Sequence, residues 1–166
     1  MELIYRKMVV KERMEVEVKV YCDVEGSKSS WVEGVVRSIN GNICVINLKI
    51  LKTNEKSLRK VKKFIREGGN LLVEVVLSHV RPIPPRTPLP VDFFPGMAVE
   101  ARESNCWWPG FIASEEVGNN LWQVSFSHTC ILTAFPPSDL RPAQEWRGGN
   151  WISVPPVCFL NPSSYI

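Results

Sequence analysis

The feature that most constrains this chain is an internal repeat on either side of a proline-rich segment. The alternating stretch "MEVEVKVYCD" is followed by "SWVEGVV", an Asn-Gly turn, "ICVINL" and "SHVRP". After the prolines, "GMAVEARES", "WWPGFIA", "GNN", "LWQVSF" and "SDLRP" come in the same order. Repetition of one short pattern indicates two copies of one supersecondary unit. The fold therefore has to contain the same small unit twice.

Each copy predicts four or five short strands joined by tight turns. In residues 14–20 apolar side chains alternate with charged ones, as on a strand with one buried face. Asn40-Gly41 stands between two apolar runs and is a hairpin signal, because both central residues of a type I′ turn need positive φ. Short strands with closely spaced turn signals are typical of a small barrel. We expect an all-β protein made of two such barrels.

The first copy is longer than the second by a basic segment. Leu58, Val61 and Ile65 fall at helical spacing, and a pair of glycines follows them. This pattern predicts a short basic amphipathic helix over 53–67. We place the whole insertion at 52–70.

These patterns also predict the domain organisation. The first unit covers 14–81 and the second covers 92–151. Between them, 82–91 contains five prolines, which cannot donate to a strand ladder, so we expect an extended linker. The last residues, 152–166, show no periodic pattern and are expected to form a disordered tail.

The motifs of the two copies resemble the plant Agenet domain, a Tudor-like barrel of SH3 type, present here as a tandem pair. In the second copy the resemblance rests on "FFPGMAVEA", "CWWPGFI", "FPPSDLRP" and "EWRGGNW". In the first copy, residues 48–70 depart from the family pattern. The resemblance implies a non-catalytic chromatin reader or adaptor in the nucleus. Its implied partners are a histone tail, for example that of methylated histone H3, and other chromatin proteins.

The resemblance further implies an aromatic cage for methyl-lysine in the second barrel or at the seam of the two. A methylated ammonium keeps its charge but is poorly hydrated, so cation–π contacts of about 0.5–2 kcal/mol each suit it. The implied cage and peptide-binding residues are Trp108, Phe126, Trp122, Glu103 and Asp139. Trp108 has a second reading as a core residue. Neighbouring residues of a strand face opposite sides, and we expect Trp107 to be the one that packs.

Three positions depart from the cage pattern of the family. Arg102 stands where the second copy should carry a third aromatic residue, and a cation there would repel methyl-lysine. Val32 and Asn47 occupy the cage positions of the first copy. We therefore expect the first copy to support the second or to bind another protein. A protein-interaction module with degenerate cages remains an alternative function.

The basic segment supports a second alternative, a nucleic-acid-binding module. Residues 49–67 contain eight basic and two acidic side chains, 8 − 2 = +6, although the whole chain carries only +3. Lysines and arginines on one face would bind DNA or RNA through counterion release. The segment also resembles a nuclear localisation signal, and a solvated helix face is the simplest reading. The candidate contacts are Lys56, Arg59, Lys60, Lys62, Lys63 and Arg66.

Other functions find little support in the sequence. His79 and His128 lie in different copies, and the five cysteines are too widely spaced for a zinc site. We therefore predict no enzyme, no cofactor and no metal. The apolar run at 71–77 is interrupted by Glu74 and is too short to cross a bilayer, so we expect no membrane partner.

Overall fold

The computed structural model describes residues 9–21, 29–49, 64–67, 70–88, 90–116, 118–127 and 131–158, with positions 64–67 and 116 described by their backbone. The chain forms two compact units. Unit 1 comprises Met1–Pro85, Ser104–Trp107 and Gln144–Ile152, and unit 2 comprises Arg86–Glu103, Trp108–Ala143 and Ser153–Ile166. No helix in the described ranges is long and apolar enough to cross a bilayer.

Unit 1 is an antiparallel barrel built on six strands from the first half of the chain. They are β1 (Glu15–Tyr21), β2 (Ser29–Asn40), β3 (Ile43–Leu48), β4 (Phe64–Glu67), β5 (Asn70–Val76) and β6 (Val80–Pro82). Pairing follows the order β4, β5, β3, β2, β1 and β6. The apolar face predicted for β1 is buried, since Val16, Val18 and Val20 lie in the core with Ile46 of β3. The opposite face is not fully exposed, because Glu17 is buried as well.

Later residues complete unit 1. Trp107 and Cys106 pair with Trp31 and Val32 of β2. The strands β12 (Gln144–Arg147) and β13 (Asn150–Ser153) form a separate hairpin, of which residues up to Ile152 belong to this unit.

Unit 2 repeats the barrel with fewer strands. They are β7 (Ala98–Glu103), the part of β8 (Cys106–Glu116) from Trp108 onward, β9 (Leu121–Ser125), β10 (Leu132–Phe135) and β11 (Leu140–Pro142). Pairing follows the order β10, β9, β8, β7 and β11. The core contains Val99, Ile112 and Val124, all fully buried, together with aromatic rings.

Local irregularities recur at matching places in the two units. A register shift lies between Val36 and Ser38 in β2, and another between Ile112 and Ser114 in β8. A short 3-10 helix precedes β6 in unit 1, at Leu77–His79, and another precedes β11 in unit 2, at Pro137–Asp139. The predicted fold class, an all-β tandem of small barrels, is confirmed.

The helix predicted over 53–67 is wrong where the structure describes it. Phe64–Glu67 form β4, which pairs antiparallel with β5. The physical reason is that Glu67 pairs with Asn70, so only the two glycines separate the strands. A Gly-Gly pair ends a helix, but it equally permits the positive φ angles of a two-residue hairpin. Residues 52–63 and 68–69 of the predicted insertion lie outside the described residues.

The observed units differ from the predicted domain boundaries in three places. Pro82 belongs to β6 and pairs with Val16, whereas the linker was expected to begin there. Residues 104–107 and 144–152 fall in unit 1 instead of the second unit. At the start of the predicted tail, Ile152 and Ser153 lie in β13, and the Val157 backbone N–H donates to the Gly96 carbonyl.

A buried ion pair joins β1 and β6, the first and last of the six strands that unit 1 takes from the first half of the chain. Glu17 is opposite Arg81 in the β1–β6 ladder, and the Arg81 Nη2 and Nε atoms lie 2.7 and 2.9 Å from Glu17 Oε2. Their side chains are 0% and 3% exposed. Arg141 and Glu100 form the corresponding pair in unit 2, with side chains 18% and 4% exposed.

We predict that Arg81→Met lowers the free energy of unfolding by about 3–5 kcal/mol, because it leaves the Glu17 carboxylate buried without its cation. Arg141→Met should cost less, because Arg141 is partly solvated. The double variant Glu17→Leu/Arg81→Met should recover most of the loss. Urea denaturation of the four proteins measures these differences. A double variant as unstable as Arg81→Met would contradict the ion-pair explanation.

Candidate functional site

The predicted cage residue Trp108 lies at the end of the buried face of β8. Trp108, Gly110 and Ile112 share one face of the strand, since side chains alternate. Ile112 is fully buried, and Trp108 is half-buried and packs on the core of unit 2. Part of its ring therefore packs on the core and part is exposed to solvent. These features are compatible with both roles considered from the sequence, a core residue and a cage wall.

Phe126 lies close to Trp108 in the strand register. Phe111 pairs with Ser125, which brings the next residue, Phe126, beside Gly110. A Cβ added at Gly110 would lie 3.1 Å from Phe126 Cδ1. Phe126 is only 7% exposed, and its ring packs edge-on against Phe135 at a centroid distance of 6.0 Å. It therefore offers a buried floor more than an open wall.

The register separates Trp122 from these two residues. Trp122 pairs with Glu115 on one side and Phe135 on the other, near the turn of the β8–β9 hairpin. Its ring is half-buried against Phe93, with ring centroids 5.7 Å apart. Seven positions along β8 separate Glu115 from Trp108, which is roughly 20 Å of extended strand. Trp122 and Phe93 thus form a second aromatic cluster of unit 2, away from Trp108.

The two predicted acidic residues have different surroundings. Asp139 Oδ1 accepts hydrogen bonds from Arg102 Nη2 at 3.0 Å and from Arg102 Nε at 3.3 Å. The cation that departs from the family pattern is therefore partly neutralised by the acid expected to attract the ligand. Glu103, the last residue of β7, is exposed.

The cage positions of unit 1 are used for packing. Val32 is 1% exposed and belongs to the core, and the Asn47 side-chain amide donates to Asn70 Oδ1 at 3.3 Å. The nearby Tyr21 ring packs edge-on against His79, with centroids 5.6 Å apart, and Lys19 Nζ lies 5.6 Å from the Tyr21 ring. Burial, and then the charge of Lys19, holds the pKa of His79 below its usual value.

Arg81 lies among aromatic rings, and we did not predict it as a site residue from the sequence. Its guanidinium carbon lies 3.8 Å from the Trp31 ring centroid and 5.5 Å from that of Trp151. Arg81 Nη1 also donates to the Gln144 carbonyl at 2.9 Å, and Trp151 packs on Trp146 with centroids 5.2 Å apart. The repeated "VRP" and "LRP" motifs were the available signal, because an arginine at the same place in both copies indicates a structural role.

The candidate nucleic-acid contacts are largely beyond the described ranges. Arg66 lies in β4, where the backbone alone is described. Lys56, Arg59, Lys60, Lys62 and Lys63 lie outside the described residues, as do His128 and Cys130. Within the described part of the chain, no group of three His, Cys, Asp or Glu side chains is arranged to hold a metal ion.

Comparison with solved structures identifies the fold. The crystal structure of the ADCP1 tandem Agenet domain 3-4 is similar with a TM-score of 0.66 at 20% identity, covering 87% of each chain. The structure of Arabidopsis thaliana AGDP1 AGD34 gives a TM-score of 0.68 at 20% identity, covering 87% of this chain and 89% of that one. The class is therefore a tandem of Tudor-like barrels, and Agenet domains are binding modules.

Sequence comparison agrees with this class. The Agenet domain family model matches residues 14–85. The chain is 28% identical over 137 residues to Protein AGENET DOMAIN (AGD)-CONTAINING P1 of Arabidopsis thaliana, covering 82% of this chain and 24% of the relative. It is also 28% identical over 131 residues to DUF724 domain-containing protein 10 of the same plant, covering 78% of this chain and 22% of that protein.

These matches confirm the resemblance seen in the motifs: residues 14–85 match the Agenet domain model, and over 87% of the chain the fold is similar to that of tandem Agenet domains. The chain spans about a quarter of the length of the curated relatives it matches.

We predict that Gly110→Ala displaces Phe126 and destabilises unit 2 by about 1–3 kcal/mol, because the new methyl group would overpack the core. Its Cβ would lie 2.8 Å from Val124 Cγ1 and 2.9 Å from the Ser125 carbonyl oxygen. Gly34→Ala makes the matching clash in unit 1, at 2.6 Å from Ile46 Cγ2. Hydrogen exchange should show the loss of protection in the unit that carries each substitution.

A turn glycine provides the control for these variants. Gly41 has φ +59° and nothing within 4 Å of an added Cβ, so a side chain there causes backbone strain but no clash. Gly41→Asn should therefore cost only the strain of a side chain at positive φ, about 1 kcal/mol, and should leave both cores protected from hydrogen exchange. If Gly110→Ala also left the core of unit 2 protected, the close packing of β8 on Phe126 would not constrain the site.

Proposed function

We propose that this chain is a non-catalytic chromatin reader or adaptor and that unit 2 binds the side chain of a methylated lysine in a histone tail. The observation that carries the proposal is the partly exposed Trp108 ring beside the buried Phe126. The tandem Agenet fold supports the choice of ligand class, and nuclear localisation follows from the same proposal. Trp108 would provide the open wall, and Phe126 would provide the floor.

Electrostatics at the site are compatible with a cationic ligand. The Arg102 guanidinium, 55% exposed in its side chain, is held by Asp139. The ion pair offsets the repulsion expected from an arginine in this position. Glu103 is exposed at the end of the same strand, β7, and would contribute negative charge to the site. The proposed ligand is therefore attracted by one carboxylate and by the face of one indole.

The expected affinity is low. One good cation–π contact contributes about 0.5–2 kcal/mol, and Phe126 adds little exposed surface. A dissociation constant of about 0.1–1 mM corresponds to about 4–5.5 kcal/mol. Unmodified lysine should bind more weakly, because its ammonium group is better hydrated.

We predict that Trp108→Ala abolishes the preference of the chain for methylated over unmodified histone-tail peptides. The measurement is a titration of the purified chain with unmodified, mono-, di- and trimethylated forms of each peptide. Trp122→Ala is the matched control, because it removes an equally large half-buried ring from the same core at a distance from the site. Loss of the preference in both variants would show that unit 2 had lost its structure, whereas retention in Trp108→Ala would refute the cage.

The Arg102–Asp139 ion pair gives a second test. Asp139→Asn should weaken methyl-lysine binding, because it leaves the Arg102 charge unbalanced, and Arg102→Gln should strengthen it. Because the pair is largely exposed, each change should be less than about 1 kcal/mol, or about fivefold in the dissociation constant. Changes of the opposite sign would show that Arg102 contacts the ligand favourably.

Salt dependence distinguishes nucleic-acid binding through residues 52–66, the alternative function, from methyl-lysine binding. Binding to phosphates through several lysines and arginines weakens steeply as salt is added. A cation enclosed by aromatic faces is less screened. Measuring histone-peptide and DNA binding at two salt concentrations therefore distinguishes the two functions.

A further inference from the structure

β10 is the outermost strand of unit 2 within the described ranges. This strand pairs with β9 through residues 132–135, and no other strand in the described ranges pairs with it. The corresponding strand of unit 1, β5, pairs on both sides, with β3 on one edge and β4 on the other. Unit 1 thus has a strand at a place where unit 2 shows none in its described part.

The registers make the correspondence specific to single residues. Asn47 pairs with Leu72 in unit 1, and Ser125 pairs with Leu132 in unit 2. Asn47 and Ser125 are themselves equivalent, since their carbonyl oxygens both lie 2.9 Å from the Cβ position of the matching strand glycine. Leu72 and Leu132 therefore occupy the same place in the two barrels.

These two leucines differ sharply in exposure. Leu72 is 8% exposed and lies opposite Ile65 of β4. Leu132 is 52% exposed, and its neighbour Ile131 is 70% exposed. The exposed leucine lies where a covering strand would bury it.

The charge pattern points to a partner strand. Residues 127–138 contain no Lys, Arg, Asp or Glu, whereas β4, the outermost strand of unit 1, contains Arg66 and Glu67. Edge strands that stay exposed are commonly protected by charged side chains, which hinder pairing with other chains. The edge of β10 has no such protection.

We propose that β10 binds an extended peptide segment of a partner protein, which adds to the sheet as an antiparallel strand with an apolar side chain opposite Leu132. The unit 1 barrel supplies the template, because Phe64–Glu67 occupy the matching edge of β5 in this way. Backbone hydrogen bonds would give the affinity, and the apolar side chain would give the selectivity, as in other cases of strand addition. This surface does not include Trp108 and is independent of methyl-lysine binding.

The test uses the purified chain and a capped peptide, KKFIREGG, which copies residues 62–69. We expect the peptide to bind and to slow amide hydrogen exchange in residues 132–133. Leu132→Lys should weaken binding about tenfold or more, because the added charge would have to lose water on strand pairing. Ile152→Lys is the matched control, since Ile152 is a similarly exposed apolar residue, at 46%, on β13. It should leave binding unchanged.

Two further controls separate strand addition from other modes of binding. Of two peptides N-methylated at alternate residues in opposite phases, the one that loses the amides facing β10 should not bind, whereas the one that keeps them should bind. Binding of KKFIREGG should persist at about 1 M salt, where the Debye length is about 3 Å. Trp108→Ala should bind the peptide normally, so failure of the methyl-lysine proposal would not affect this result.

The proposal is overturned if Leu132→Lys binds the peptide as well as the parent, or if residues 132–133 gain no protection at saturating peptide. It is also overturned if the chain forms a dimer that Leu132→Lys abolishes and the peptide does not disrupt. In that case the edge would pair with a second copy of this chain. Sedimentation at several protein concentrations detects that outcome.

Discussion

The ion pair between a glutamate of the first strand and an arginine of the last strand is the interaction on which each barrel depends. In unit 1 it joins Glu17 and Arg81, and in unit 2 it joins Glu100 and Arg141. In both cases the paired residues are also direct partners in the strand ladder that brings the last strand to the first. An unpaired charge in either position would be strongly unfavourable. The pair therefore favours the register in which both charges meet.

The two barrels surround this pair differently, and the difference bears on function. In unit 1 the Arg81 guanidinium lies over the Trp31 ring and donates to the Gln144 carbonyl, so one large aromatic residue is committed to the ion pair. Val32, at the cage position, is fully in the core. In unit 2 the residue equivalent to Val32 is Trp108, whose ring is half-buried. The same framework thus has its aromatic surface in different places, and unit 2 is the better candidate for ligand binding.

Much of the fold could be predicted from the sequence, because alternation and turn residues are local signals. The buried apolar face of β1, the hairpin after β2 and the repetition of the barrel appear in the structure. The turn itself differs from the prediction, because Asn40 pairs with Ile43, so the turn residues are Gly41 and Asn42, and of these only Gly41 has positive φ. The sequence "FIREGGN" misled because its spacing and its glycines satisfy a helix and a hairpin equally well. The assignment of 104–107 and 144–152 to unit 1 was not predictable, since it depends on long-range pairing such as that of Trp31 with Trp107. Trp122 was placed in the same predicted cage as Trp108 because the sequence does not reveal the β8–β9 register, which pairs Trp122 with Glu115.

The two units differ in their outer sheet edges as well as in the positions of their aromatic residues. From the sequence, the insertion in the first copy was interpreted by its positive charge, which suggested that it binds nucleic acid. The described part of the insertion shows another consequence, because β4 pairs with the edge of β5, where Leu72 is 8% exposed. The shorter copy keeps the equivalent leucine, Leu132, half-exposed on an uncharged strand. Because unit 1 pairs β5 with its own strand β4, the equivalent edge of β10 in unit 2 is suited to bind an extended peptide in the same way.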